Sequence, residues 1–162
     1  MSTLEQVKSA HSKVKTGAPY FLFLFFLFSC EQKSGTHSLS KQEMKDIVRK
    51  LDLQFSEGVK KKDSAMLVNI YSADAQYVQP KASILTGKSE IGRDWAGFLR
   101  LKEEPIDLIL NIRNVSGTRE VIYETGTGYT LLRDSSRWNF NYVNVWRLQD
   151  DQSYKLEIDT YN

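Results

Sequence analysis

The hydrophobic and polar positions of this chain change period near its middle, and the change sets the expected layout. From Arg119 to Asn162, apolar and aromatic residues alternate through Val121, Tyr123, Tyr129 and Leu131, then Trp138, Phe140, Tyr142, Trp146 and Leu148, then Tyr154, Leu156 and Ile158. A period of two is what a half-buried pleated sheet requires, so three antiparallel strands are expected here. Short polar turns at Arg133 to Ser136 and Gln149 to Gln152 would join them. Ahead of these, Leu108, Leu110 and Ile112 alternate as a further strand that runs to a turn at Ser116-Gly117.

Before Pro105 the spacing is helical. Ser40 and Glu43 form a capping box, with Leu39 and Met44 placed as the hydrophobic staple around it. Met44, Ile47, Val48, Leu51 and Phe55 follow at helical spacing, which predicts a helix from Ser40 to about Lys61. Asp63 is placed to cap a second, shorter helix that carries Leu67, Ile70 and Tyr71 and stops at Ser72-Ala73-Asp74. A strand from Ala75 to Gln79 should end at Pro80, whose missing N–H cannot continue a ladder. Ile84 to Thr86 is its expected partner, and after Gly87 the residues Ile91, Trp95, Phe98 and Leu99 form the stripe of a third helix. Helices first and strands after is the segregated layout of an α+β domain.

At 162 residues the chain suggests one domain with enough apolar content for a real core. Its N-terminal part is different. Tyr20 to Phe28 is an unbroken apolar run of nine residues, far short of the roughly 20 that span a bilayer as a helix. Lys8, Lys13 and Lys15 precede it against only Glu5, and Ser29 and Cys30 follow it. Leu27-Phe28-Ser29-Cys30 resembles the lipobox of a bacterial lipoprotein signal. That resemblance implies a signal peptide over residues 1–29, acylation of Cys30, a flexible tether over 30–39 and a domain over 40–162. The domain would stay soluble in the cell envelope, on the periplasmic or outer-surface side, while the lipid holds it to a membrane. The alternative is a short buried apolar helix with an incidental thiol.

The chain has 22 basic and 20 acidic residues, but three Lys and one Glu precede Cys30, so residues 31–162 hold 19 of each. A net charge near zero without a basic stripe argues against nucleic acid as a partner. Lys60-Lys61-Lys62 reads as a solvated helix end near its negative dipole terminus. Cys30 is the sole cysteine, and His11 and His37 both fall outside the expected domain. Without imidazole or free thiol, neither zinc or non-haem iron chemistry nor a Ser/His/Asp triad is expected, and no cofactor is implied. Gly126-Thr127-Gly128 sits within a strand, where a bulge or tight bend is expected rather than a phosphate loop. Asp107, Glu124 and Asp159 are strand carboxylates, expected on the solvent face.

The order of elements, with particular residues at the joints, resembles the nuclear transport factor 2-like superfamily, and within it the SnoaL-like and ketosteroid-isomerase-related branch. The residues that carry the likeness are Asp63, Leu67 and Ile70 to Ala75, then Gly87 to Ile91 with Trp95, then Tyr142 to Arg147, and the ending Tyr154-Lys155-Leu156 with Asp159 to Asn162. It covers about residues 42–162. The resemblance implies a cystatin-like cone, three helices packed on a curved, mainly antiparallel sheet, often paired as a homodimer through the sheet. Counting from Asp63, the branch's oxyanion tyrosine falls at Phe55, its base at Gln79 before Pro80, and its protonated acid at Asn144. Phe55 cannot donate a hydrogen bond and Gln79 cannot take a proton near neutral pH, while Asn144 can still donate. No catalytic or metal-binding residue is therefore assigned.

What remains is a pocket where Phe55, Tyr77, Gln79, Trp95, Tyr142, Asn144 and Trp146 could converge. An aromatic lining with two amides suits a small neutral, flat or apolar ligand. The leading expectation is a cell-envelope lipoprotein whose cone binds a small ligand or a partner protein without catalysis. Three alternatives stay open: the aromatics fill the cone as core, the cone is an enzyme using carboxylates such as Asp159 or Glu124, or the domain is a structural dimerisation module. Parity places Asp159 and Tyr161 opposite Leu156 and Ile158, hence outward, unless a bulge in the last strand reverses them.

Overall fold

The computed structural model describes residues 38–82 and 84–162. The expected signal peptide, Cys30 and nearly all of the tether lie outside the described residues. Helix α1 (Lys41–Lys60) begins where the capping box sets it: Ser40 Oγ accepts the Glu43 N–H at 3.2 Å and Glu43 Oε2 accepts the Ser40 N–H at 2.8 Å. Its inner face buries Met44, Val48, Phe55 and Val59, with Asp52 among them. At its end Lys60 reaches Asp107 at 3.3 Å, Lys61 reaches Glu57 at 3.1 Å, and Lys62 donates to the Pro105 carbonyl. These are surface pairs that contribute little to stability.

Helix α2 (Ser64–Val68) is capped by Asp63, whose Oδ1 accepts the Met66 N–H at 2.9 Å. It is shorter than its apolar spacing predicted. Ile70 falls in a turn, and Tyr71 opens strand β1 (Tyr71–Val78), four residues before the strand was expected. The reason is tertiary: Tyr71 pairs with Leu156 across the sheet and its ring is fully buried, which outweighs a weak local preference for helix.

The remaining elements are β2 (Leu85–Thr86), α3 (Gly87–Phe98), β3 (Pro105–Gly117), β4 (Val121–Leu132), β5 (Arg137–Leu148) and β6 (Tyr154–Tyr161). They form one six-stranded sheet in the order β2-β1-β6-β5-β4-β3. Only the β1–β6 pair is parallel. Register shifts near Arg113 on β3, Glu157 on β6 and within Tyr71 to Gln76 on β1 bend the sheet. Helix α1 lies against β3 and α3 against β1, so one core forms between helices and sheet, with Val48, Phe55, Ile91, Ile122, Trp146 and Leu156 at its centre. The architecture is the α+β one expected.

Two face assignments differ from the sequence reading. On β4 the buried side is Ile122, Glu124, Gly126, Gly128, Thr130 and Leu132, whereas the alternating series Val121, Tyr123, Tyr129 and Leu131 occupies the less buried side. β4 stays paired through Gly126 and Gly128 with Tyr142 and Phe140 of β5, and the bulge expected here lies on the neighbouring strand, at Arg113 of β3 opposite Gly126. A Cβ on Gly126 would stand 2.4 Å from the Tyr142 hydroxyl oxygen, and one on Gly128 would stand 2.6 Å from the Phe140 ring, so the glycines make room for rings. On β6 the shift at Glu157 brings Leu156 and Asp159 to the same side, and Asp159 is buried rather than facing outward.

Candidate functional site

A cavity of about 650 Å³ opens between α1, α3 and the concave face of the sheet. Six of the seven residues expected there line it: Phe55, Tyr77, Gln79, Trp95, Tyr142 and Asn144. Trp146 does not. It is fully buried behind the wall, where its indole Nε1 donates to Glu124 at 2.9 Å. The aromatic groups form a continuous band and leave space rather than filling the cone. Tyr77 stacks on Trp95 at 6.3 Å and meets Tyr161 at 5.8 Å; Trp95 meets Phe98 edge-on at 5.3 Å, and Phe140 meets Tyr161 at 5.9 Å. Such edge and offset contacts fix the rings without bound ligand.

Behind the cavity wall lies a pair of carboxyl groups. Glu124 has no exposed surface, yet it is well supplied with donors: Tyr142 Oη at 2.5 Å, Trp146 Nε1 at 2.9 Å and Asn144 Nδ2 at 3.5 Å. Asp52 of α1 faces it and is 7% exposed. Two carboxylates cannot both stay charged in so dry a place. Burial first, and then repulsion from Glu124, push the Asp52 carboxyl up to about 9. Glu124 is also raised by burial, while the bonds from Tyr142, Trp146, Asp52 and Asn144 oppose that rise. The stable arrangement is a neutral Asp52 acid donating its proton to an ionised Glu124. Asp52 Oδ1 and Asn144 Oδ1 are the two buried side-chain oxygens without a hydrogen-bond partner among the described residues. The proton accounts for the first; the second belongs to a residue of the cavity lining.

A third carboxyl, Asp159, lines the cavity itself. Tyr71 Oη donates to its Oδ2 at 2.5 Å, and Trp95 Nε1 in turn donates to Tyr71 Oη at 3.1 Å. Burial raises the Asp159 carboxyl to about 7, against the lowering effect of the Tyr71 hydrogen bond. Asp94 of α3, also in the lining, accepts from Gln79 Nε2 at 2.7 Å and is raised by burial. Gln79 is thus already engaged by the protein. The chemistry available is containment of a flat body, acceptance of hydrogen bonds from it, and proton exchange near neutral pH at Asp159.

Asp52, Asp94, Phe98, Phe140 and Tyr161 were not anticipated as site residues. Asp52 had a readable signal: it stands four residues after Val48 on the apolar stripe of α1, a polar group at a core position. Glu124 and Asp159 were read as solvent-facing and are buried. Both corrections come from strand register, which placed the donors of β5 opposite Glu124 and the bulge of β6 ahead of Asp159.

Among known proteins, no family model matches this chain, and no curated protein does. Solved structures do. A domain of unknown function with a cystatin-like fold from Nostoc punctiforme is 11% identical with a TM-score of 0.66, over 76% of this chain and 78% of that one. A candidate dehydratase of the nuclear transport factor 2-like family from Streptomyces avermitilis is 18% identical with a TM-score of 0.60, over 75% and 97%. A nuclear transport factor 2-like protein with a cystatin-like fold from Novosphingobium aromaticivorans is 10% identical with a TM-score of 0.63, over 74% and 81%. At these identities the likeness establishes the fold, a cystatin-like, nuclear transport factor 2-like α+β domain, and that alone.

Proposed function

We propose that the domain encloses a small, flat, mainly apolar molecule in its cone, as the soluble part of a lipid-anchored protein of the cell envelope. The observation that carries the reading is the cavity of about 650 Å³ walled by Tyr77, Trp95, Phe98, Phe140, Tyr142 and Tyr161. Its size lies within the roughly 300–1,000 Å³ of small-molecule sites, and such sites combine apolar walls with a few convergent polar groups. Native mass spectrometry of residues 40–162, isolated from the source organism, tests it. The wild type should carry a small-molecule mass that a cavity-filling Leu110→Trp variant lacks; two bare proteins that also fail to bind an apolar dye would end the reading.

A place in the SnoaL-like, ketosteroid-isomerase-related branch is part of the same proposal. It is supported by Phe55, Gln79 and Asn144, the positions matched to that branch, all lying in the lining of one cavity. The missing acid and base at those three positions favour binding over that branch's chemistry. One observation favours an enzyme instead: Asp159, with its carboxyl raised to about 7, sits in the cavity lining. Turnover of a candidate substrate lost in Asp159→Asn, with binding retained, would decide for it.

The lipid anchor rests on the Leu27 to Cys30 sequence. Cys30→Ser should release the protein from membranes, and continued membrane association of that variant would count against it. A homodimer through the sheet is supported by exposed Tyr123 and Val143 on the face away from the cavity. Sedimentation of Tyr123→Lys against the wild type measures it.

A further inference from the structure

The lining of the cavity is unbalanced in hydrogen-bonding character. Four donors of its inner wall are turned back into the protein: Gln79 Nε2 to Asp94, Trp95 Nε1 to Tyr71, Tyr142 Oη to Glu124, and Asn144 Nδ2 to Glu124. Its acceptors are less occupied. Asn144 is 2% exposed, and its Oδ1 has no partner among the described residues. Asp159 receives Tyr71 Oη, and Asp94 receives Gln79 Nε2, both uncharged donors. Among the described residues no lysine lines the cavity; Arg93 is its single cationic side chain, exposed at the surface and bonded through Nη1 to Ser89. Carboxyl groups held in a largely apolar wall without a cationic partner are costly to ionise; a proton relieves them, and so would a bound cation.

The rings supply the complementary half. Tyr77, Trp95, Tyr161 and Phe140 form the band described above, with Asp94 and Asp159 both near enough to perturb the phenols of Tyr77 and Tyr161. The faces of such rings attract positive charge, the more so where water is excluded. A neutral flat ligand would use the rings and leave the charge of the carboxyl groups unanswered. An anionic ligand would meet Asp94 and Asp159 with like charge.

We propose that the cavity recognises an organic ammonium compound, an aromatic or apolar body bearing a protonated nitrogen, with the N–H groups directed to the Asp159 and Asp94 carboxylates. This rests on the cone being a binding site, and it adds the charge of the occupant. Three naphthalene probes of similar size separate the two ideas: naphthylethylammonium, naphthylethanol and naphthylacetate, titrated into residues 40–162 by calorimetry at one pH and salt concentration. The ammonium should bind at least about tenfold more tightly than the alcohol, and the acetate most weakly. Asp159→Asn and Asp94→Asn should each reduce ammonium affinity several-fold and alcohol affinity less, with an unchanged circular dichroism spectrum showing that each variant is folded. If the alcohol or the acetate binds as well as the ammonium, or if both variants keep the preference, the proposal is overturned and the binding cone survives. If none of the three probes binds, the cone reading itself falls and takes the proposal with it.

Discussion

Replacing Asp52 by asparagine tests the buried acid pair directly. In the folded protein burial and the neighbouring Glu124 raise the Asp52 carboxyl from 3.8 to about 9. The folded state therefore holds a proton that the unfolded chain releases, and its stabilising effect is complete below about pH 4 and declines as pH rises toward 9. Between pH 5 and pH 8 the whole interval lies inside that window. At about 1.4 kcal/mol per pH unit, the wild type should lose roughly 4 kcal/mol from this one group, a large share of the 5–15 kcal/mol of a typical domain. The substituted amide cannot ionise, and its Nδ2 can replace the acid proton as donor to Glu124. Urea unfolding of both proteins at several pH values from 5 to 8 measures the difference. Asp159, also raised, titrates in both and cancels, whereas Glu124, itself raised by burial, can take up part of the proton in the variant, which makes about 4 kcal/mol the ceiling. The variant should gain on the wild type at each step toward alkaline pH, by up to about 4 kcal/mol in total; parallel stability curves would refute the shared-proton pair.

Other expectations follow from single contacts. Gly126→Ala puts a methyl group 2.4 Å from the Tyr142 hydroxyl oxygen, so it should cost about 1–3 kcal/mol by overpacking and alter the near-ultraviolet circular dichroism of the rings; unchanged or increased stability would contradict the packing argument. Tyr71→Phe removes the donor that holds the Asp159 carboxyl down, so the Asp159 midpoint, followed by carbon NMR of its carboxyl, should move up from about 7. Ser40→Ala removes one half of the capping box and should cost about 1 kcal/mol, seen as a fall of roughly 3–5 °C in Tm.

The helices could be read along the chain because their signals are local. Ser40, Glu43 and Asp63 act within one turn of themselves, and the stripe from Met44 to Phe55 needs only the period of a helix. Six residues of the cavity lining were also legible, since large rings and amides at inward positions of a cone have few other places to go. The carboxyl groups were not. On β4 the sequence alternates acceptably on either face, and only the donors of β5 lying opposite make Glu124 an inward residue.

By itself, then, the sequence determined the element types, the α+β layout and an aromatic interior, because periodicity and capping are properties of neighbouring residues. Tertiary structure decided which carboxyl groups are buried. A bulge at Glu157 turns Asp159 inward, glycines on β4 seat the rings of β5, and α1 carries Asp52 to Glu124, a residue 72 positions further along the chain. The cost of burying a charge depends on partners that only the folded chain brings within reach.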